Sequence, residues 1–239
     1  MLDLTIIIVN KNYFRFLKKC INSCLSQSTN YRYEVILVDD GSNDGSDLYA
    51  KKIKDKKFFF IQTMSKGIEK AANAGFKKSK GKYVVRVDSD DYLDKNFVHN
   101  SLKEIKKSRK AFVYSNYILV DSKNNSRKKI ILPQFNKKEI LQRGDFLATG
   151  TVYNKNLIKK IGFYNDRIKN SGLENYELIL KLVNKNYSGT KINKFLFYYR
   201  KHFKNLSIIK KKKISNYGSK LFKYMNLGKY SKNKYHPWN

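Results

Sequence analysis

The sequence predicts an α/β fold: a mainly parallel, Rossmann-like central sheet with helices on both faces, then a mixed second half and a basic helical tail. Three observations predict it. Apolar runs of strand length alternate with stretches of helical period through the first hundred residues. Polar, acid-rich clusters stand directly after several of those runs. From about residue 111 the alternation gives way to paired strands, short helices and a late strand.

Taken in order, "LTIIIVN" (4 to 10) reads as a buried strand. In 13 to 28, Phe14, Leu17, Ile21, Cys24 and Leu25 fall at helical spacing. "YEVILVDDGSNDGS" is a second buried strand ending in a polar, Gly-containing turn, in which Ser42 or Asp44 can cap the helix expected over 46 to 55. "FFFIQT" is a third strand and 67 to 79 a third helix. "KYVVRVD" is a fourth strand, with a helix over about 95 to 108. "AFVYSNYILVDSKNNSRKKIIL" reads as two strands joined by a polar turn, and "GDFLATGTVYN" as another strand. "NLIKKI" and "LENYELILKLVNK" are helical, and "TKINKFLFYYRKH" is a late strand.

Composition sets bounds. The chain has 239 residues, enough for one large domain or one with a small appendage, and 41% are hydrophobic, enough for a core. No run approaches the ~18 apolar residues of a membrane span. The run Leu4 to Val9 is short for a signal core and no Lys or Arg precedes it, so a cytoplasmic protein is expected. Cys20 and Cys24 share a helix face and read as reduced thiols. The formal charge of +32 points to polyanions such as nucleic acid, anionic lipid or phosphorylated substrates. The abundance of Lys, Asn, Ile, Tyr and Phe equally fits an AT-rich genome whose default surface residue is lysine.

Ligands of an open parallel sheet bind beyond the carboxyl ends of its strands. Three polar clusters fall there: Asn10 to Asn12, Asp39 to Ser46, and Asp88 to Asp91. Crowded carboxylates repel, and burial aggravates this. A hard divalent cation offsets it, and Mg²⁺ takes one or two carboxylates, with water and phosphate oxygens completing its shell. Calcium loops are excluded: counted from Asp88, positions six and twelve are Leu93 and His99, and counted from Asp40 the twelfth is Lys51. Neither a P-loop nor a dinucleotide fingerprint is present.

The segments "TIIIVNKN", "EVILVDDGSNDGS", "GIEKAANAGFKKSKGKYVVRVDSDDYL", "TGTVYNKNLIKKIG", "GLENYELILKL" and "YYRKHFKNLS" resemble, in order, glycosyltransferase family 2, the inverting enzymes of GT-A fold. The resemblance runs from about residue 3 to 207. It implies a catalytic domain over 1–207, with a nucleotide-binding half (1–110) and an acceptor-side half (111–207), and a basic aromatic tail over 208–239. It implies a nucleoside-diphosphate sugar donor, taken as a UDP-sugar, with Mg²⁺ or Mn²⁺. The acceptor is then a glycan or lipid-linked sugar, as in bacterial surface polysaccharide synthesis. Val9, Asn12, Asp39 and Asp40 are placed on the nucleotide, and Asp88 on the ribose and metal side. Asp90 is the principal metal ligand, and Arg200 and His202 approach the diphosphate or the metal.

The chain departs from the family at three places. Lys11 stands where Tyr is usual. Ala72 stands where Arg is usual, with Lys70 nearby as a substitute charge. Glu174-Asn175 replaces the usual Glu-Asp, whose Asp commonly serves as base. An amide cannot accept a proton as a carboxylate does, so Glu174 is assigned as the catalytic base. Glu177 is read as a helix-stabilising partner of Lys181, and His99 and His236 as uninvolved. Residues 210 to 239 combine Lys with Phe222, Tyr224, Tyr230 and Trp238, which suits peripheral contact with an anionic membrane. Two rivals stand beside this reading. A sugar nucleotidyltransferase should carry a Gly-rich basic signature after the first strand, and "NKNYFRF" is not one. A nucleic-acid-binding module would use the basic tail but leaves the strand-end acids unexplained, so nucleic acid is not expected as the partner.

Overall fold

The apolar runs pair as their burial requires. The computed structural model describes residues 2–125, 127–143 and 150–230. β1 (Leu2–Asn10) lies parallel between β2 (Tyr33–Asp39) and β4 (Gly81–Asp88), with β3 (Phe58–Gln62) parallel beyond β2. Successive side chains of β1 enter opposite cores: Ile7 and Val9 on one face, Leu4, Ile6 and Ile8 on the other. Two-sided burial explains the unbroken apolar run.

Helices close both faces. α1 (Phe14–Leu25) and α4 (Phe97–Ser108) bury Leu17, Ile21, Phe97 and Leu102 on one side. α3 (Ile68–Lys78) and α7 (Glu174–Asn184) bury Ala71, Phe76, Leu178 and Ile179 on the other. α3 approaches β1 closely at Gly75, where a Cβ would stand 2.5 Å from Ile7 Cγ2. The helix expected over 46 to 55 is shorter, α2 (Ser46–Lys51). Cys20 and Cys24 are free and buried in α1.

The sheet continues from β4 through β8 (Val152–Asn154), β6 (Phe112–Val120) and β9 (Gly189–Arg200) to β5 (Tyr92–Leu93). β7 (Arg127–Ile130) pairs antiparallel with β6, the expected hairpin. β8 runs antiparallel to both β4 and β6, and β6 is parallel to β9. Hence β6 and β9 end on the same edge as β1 to β4. Of the strand expected in "GDFLATGTVYN", residues 144–149 lie outside the described residues. α5 (Lys137–Arg143) was not anticipated, and α6 (Lys155–Lys160) follows β8 as expected.

The C-terminal segment differs from the expected appendage. After the short α8 (Leu206–Ile209), α9 (Lys211–Tyr224) buries Ile214, Gly218, Leu221 and Phe222 on one stripe, and three of these join the core that holds α7. Phe222 meets Tyr176 at 6.2 Å between ring centroids. Phe222 is therefore a core residue and not a membrane anchor; Tyr224 is exposed, and Trp238 lies outside the described residues. No helix among the described residues is long and apolar enough to cross a membrane.

Candidate active site

Strand register sets the three polar clusters side by side. Asn10 pairs with Asp39, and Val9 pairs with both Val38 and Asp88. In the buried Asp39, Oδ2 accepts from Asn10 Nδ2 (2.8 Å) and Ser42 Oγ (2.6 Å), and Oδ1 accepts from the Ser42 amide (2.8 Å). Asn12 ties this turn to the first loop: its amide donates to Ser42 Oγ (2.8 Å), and its Oδ1 accepts from the Asn43 amide (2.8 Å). Asp44 accepts from the amides of Phe14 (2.8 Å) and Ser46 (3.1 Å), so it serves the starts of both α1 and α2.

Asp40 is placed otherwise than expected. Its Oδ1 accepts from Thr63 Oγ1 (2.7 Å) and the Lys66 amide (2.8 Å), and its Oδ2 from the Gly67 amide (2.8 Å). The carboxylate is a clamp on the loop entering α3. Lys70 is exposed on α3. Lys11 reaches across the first cluster to Ser65 Oγ (2.9 Å).

The acidic segment is held by Arg86 of β4 and by Arg200, His202 and Asn205 at and just after the end of β9. Arg86, buried in β4, pairs its Nε and Nη2 with Asp88 (3.0 and 3.1 Å) and its Nη1 with Glu174 Oε1 (2.6 Å). Asp90 Oδ2 faces His202 Nε2 (2.9 Å) and Asn205 Nδ2 (3.3 Å). Asp91 Oδ1 accepts from the Arg200 amide (2.8 Å), while its Oδ2 is buried with no hydrogen-bond partner among the described residues. Burial pushes the Asp88 carboxyl up to about 6, with the Asp90 and Glu174 charges adding and Arg86 opposing. Burial, then the charges of Asp90 and Asp88, raise Asp91 well above the usual carboxylate range.

Arg200 is also placed otherwise than expected. Its guanidinium donates to Asp90 O (2.7 Å), Asp121 O (3.2 Å) and Asn124 Oδ1 (2.8 Å), and lies 4.6 Å from the Phe16 ring centroid. It ties the acidic loop to the second half of the sheet and is fully buried. His202 stacks on Phe16 at 5.2 Å. The Lys204 amide donates to His202 Nδ1 (3.2 Å), and Nε2 faces Asp90 Oδ2. His202 thus stands directly beside Asp90, the carboxylate expected as principal metal ligand, and orients it.

The residues fit a divalent cation through carboxylates alone. Asp88 and Asp90 are hard oxygen donors, and the buried Asp91 Oδ2 beside them has no hydrogen-bond partner among the described residues. No group of three or more His, Cys, Asp or Glu placed to hold an ion occurs among the described residues. Mg²⁺ needs only one or two.

Glu174 opens α7, and Glu69 holds the loop before it: the Asn170 amide donates to Oε2 (2.8 Å) and the Ser171 amide to Oε1 (2.6 Å). Asn175, one residue on and about 100° around the helix, turns inward, where Tyr153 (2.7 Å) and Tyr164 (3.2 Å) donate to its Oδ1. Glu177 pairs with Lys181 (2.8 Å) as expected and also accepts from Tyr217 (2.6 Å). Arg86 and Glu69 were missed in the sequence. Arg86 carried a signal, because one arginine inside the apolar strand "VVRVD" must find a partner when buried.

Comparison with known proteins adds three findings. The family model described as Glycosyl transferase family 2 matches residues 5–164. An Escherichia coli relative, the UDP-Glc:alpha-D-GlcNAc-diphosphoundecaprenol beta-1,3-glucosyltransferase WfaP, is 29% identical over 196 residues, covering 81% of this chain and 75% of that protein. Glycosyltransferase GlyA of Streptococcus pneumoniae is 31% identical over 116 residues, 48% of this chain but 16% of the relative's length. Staphylococcus aureus TarS 1–349, solved with UDP-GlcNAc, superposes with a TM-score of 0.76 at 19% identity, over 98% of this chain and 68% of that one. Its complex with UDP gives 0.72 at 18%. At that identity the likeness is one of fold, the GT-A fold.

Proposed function

The chain belongs to glycosyl transferase family 2, and from that premise we propose that it moves a sugar from a UDP-sugar to a lipid-linked or glycan acceptor with inversion at the anomeric carbon. The observation that carries this reading is the bridge made by Arg86. One buried guanidinium joins Asp88, at the end of the nucleotide-side strand β4, to Glu174, at the start of α7 in the acceptor-side half. Donor-side and acceptor-side carboxylates thus meet at one point.

Val9, Asn10, Asp39 and Asp88 lie level at the strand ends and form the floor for the nucleotide. Glu174 takes the proton of the acceptor hydroxyl as that oxygen attacks the sugar, and the nucleoside diphosphate departs on the opposite face. Arg86 fixes the Glu174 carboxyl in position through one short charge-assisted hydrogen bond. A bound Mg²⁺ or Mn²⁺ would neutralise the departing diphosphate, and Asp88 and Asp90 would hold it. His202 and Asn205 keep Asp90 in place. The acceptor named for the Escherichia coli relative, a diphosphoundecaprenol-linked sugar, supports a lipid-linked acceptor and a role in surface polysaccharide synthesis. Free buried thiols suit the cytoplasmic side.

Titration calorimetry of the full chain with UDP, GDP and CDP, each with and without Mn²⁺, tests the reading. Tight binding of one diphosphate that weakens on chelation is expected. Binding of none of them, together with no hydrolysis of UDP-sugars, would refute it.

A further inference from the structure

We propose that the segment following β9, residues 201 to 213, is a docking surface for an anionic lipid bilayer, set beside the mouth of the active site. It goes beyond the transfer reaction, since the surface would bind lipid whatever the acceptor. Three large apolar side chains stand in solvent here: Phe203 is 78% exposed, Ile209 62% and Ile208 48%. Six lysines and no acidic residue lie between 201 and 213, and Lys201, Lys204 and Lys212 are exposed around the apolar group.

The exposure is enforced by the backbone. The His202 amide donates to Asn205 Oδ1 (2.6 Å), and the Asn205 amide donates back to His202 O (3.1 Å). Asn205 Nδ2 donates to Arg200 O (3.1 Å), and Tyr13 donates to Lys204 O (3.0 Å). This tight turn leaves Phe203 no route into the core. It also fixes the patch to the chemistry, because Phe203 follows the histidine that contacts Asp90. Lys213 Nζ donates to Lys169 O (3.0 Å), and Lys169 Nζ to Ser65 O, which links the patch to the loop bearing Met64, 85% exposed. Lys201 further lines a recess of about 310 Å³ with Arg127, Lys128, Asp121, Leu119 and Val120, so basic side chains outnumber the one acid where the patch meets β6 and β7.

Apolar side chains ringed by lysine match the interface of an anionic membrane, where the rings and aliphatic chains enter the headgroup layer and the lysines meet phosphate. A second copy of the chain is disfavoured as occupant, since each carries a formal +32. A nucleic acid would satisfy the lysines but leave the apolar group in water.

The test uses the full chain in co-sedimentation with vesicles of phosphatidylglycerol and phosphatidylcholine, and with phosphatidylcholine alone, at low salt. Binding to the anionic vesicles and little to the neutral ones is expected. The variant Phe203→Ser/Ile208→Ser/Ile209→Ser is expected to lower that binding at least about tenfold, with unfolding temperature and UDP affinity unchanged. Reversal by Lys204→Glu/Lys212→Glu should lower it at least about 25-fold, at about fivefold per lysine lost. If the triple variant fails to fold, Phe203→Ser alone is expected to lose binding several-fold. Wild-type binding by these variants would overturn the proposal. So would equal binding to neutral vesicles, or a solution dimer that the triple variant abolishes. UDP affinity of the same samples reports separately on the transfer reaction.

Discussion

Replacing Arg86 by methionine removes one buried charge and strands two others. Arg86 is 7% exposed and pairs with Asp88 at 3.0 Å and with Glu174 at 2.6 Å. Removing one partner of a buried pair costs about 3–5 kcal/mol, because the remaining charge stays in low dielectric. For a chain of this size that is roughly 6–20 °C of unfolding temperature. The loss must depend on pH. The Asp88 carboxyl is already pushed up from 3.8 to about 6, by burial first. The folded chain therefore binds more protons than the unfolded one between those values. The penalty for an ionised Asp88 is absent below about 4 and complete above about 6. Without Arg86 the opposing charge is gone, the folded value rises further and the window extends upward. Urea unfolding with chelator present, at about pH 5 and about pH 8, measures this. The destabilisation of Arg86→Met should be clearly larger at the higher pH. Adding Asp88→Asn and Glu174→Gln to Arg86→Met should recover most of it, since neutral groups need no counter-charge. An equal loss at both pH values, or one under about 1 kcal/mol at the higher, would refute the pairing as described.

Other substitutions probe the remaining roles. Asp90→Asn keeps shape but removes a charge, so transfer should collapse while the unfolding temperature holds; full transfer in excess chelator would disprove the assignment to a cation. Glu174→Gln should abolish transfer and leave UDP affinity nearly intact, and wild-type turnover would eliminate Glu174 as the base. Asn175→Leu removes the acceptor of two tyrosine hydroxyls and should cost about 1–3 kcal/mol in urea unfolding, whereas Asn175→Asp keeps an acceptor there and should fold; raised turnover in that variant would move the base to position 175. Asp40→Ala removes three hydrogen bonds from the loop before α3 and should cost about 3 kcal/mol or more, which thermal unfolding measures directly.

The layered α/β architecture, and the edge at which the acid-rich turns gather, were legible in the amino-acid order alone. Both are local in origin. Strands buried on two faces must be continuously apolar, as "TIIIV" and "VILV" are, and helices on one face must repeat at 3.6, as Leu17, Ile21 and Cys24 do. Acids that end such strands stand at one edge once the strands are parallel, which is why Asp39 and Asp88 were legible as neighbours at the strand ends. Tertiary structure alone decided who neutralises whom. Arg86 announced that it needed a partner, but that partner, Glu174, is 88 residues away. His202 reaches Asp90 across 112 residues. Asp40 and Arg200 carried the same chemistry as their neighbours, and only the chain crossing beside each turned them to a loop amide and to backbone carbonyls. The same holds for α9, whose apolar stripe specifies burial but not the surface that receives it. Periodicity encodes which side of an element is buried. A charge or a stripe encodes only that a complement must exist, and the partner is set by the packing of segments far apart in the chain.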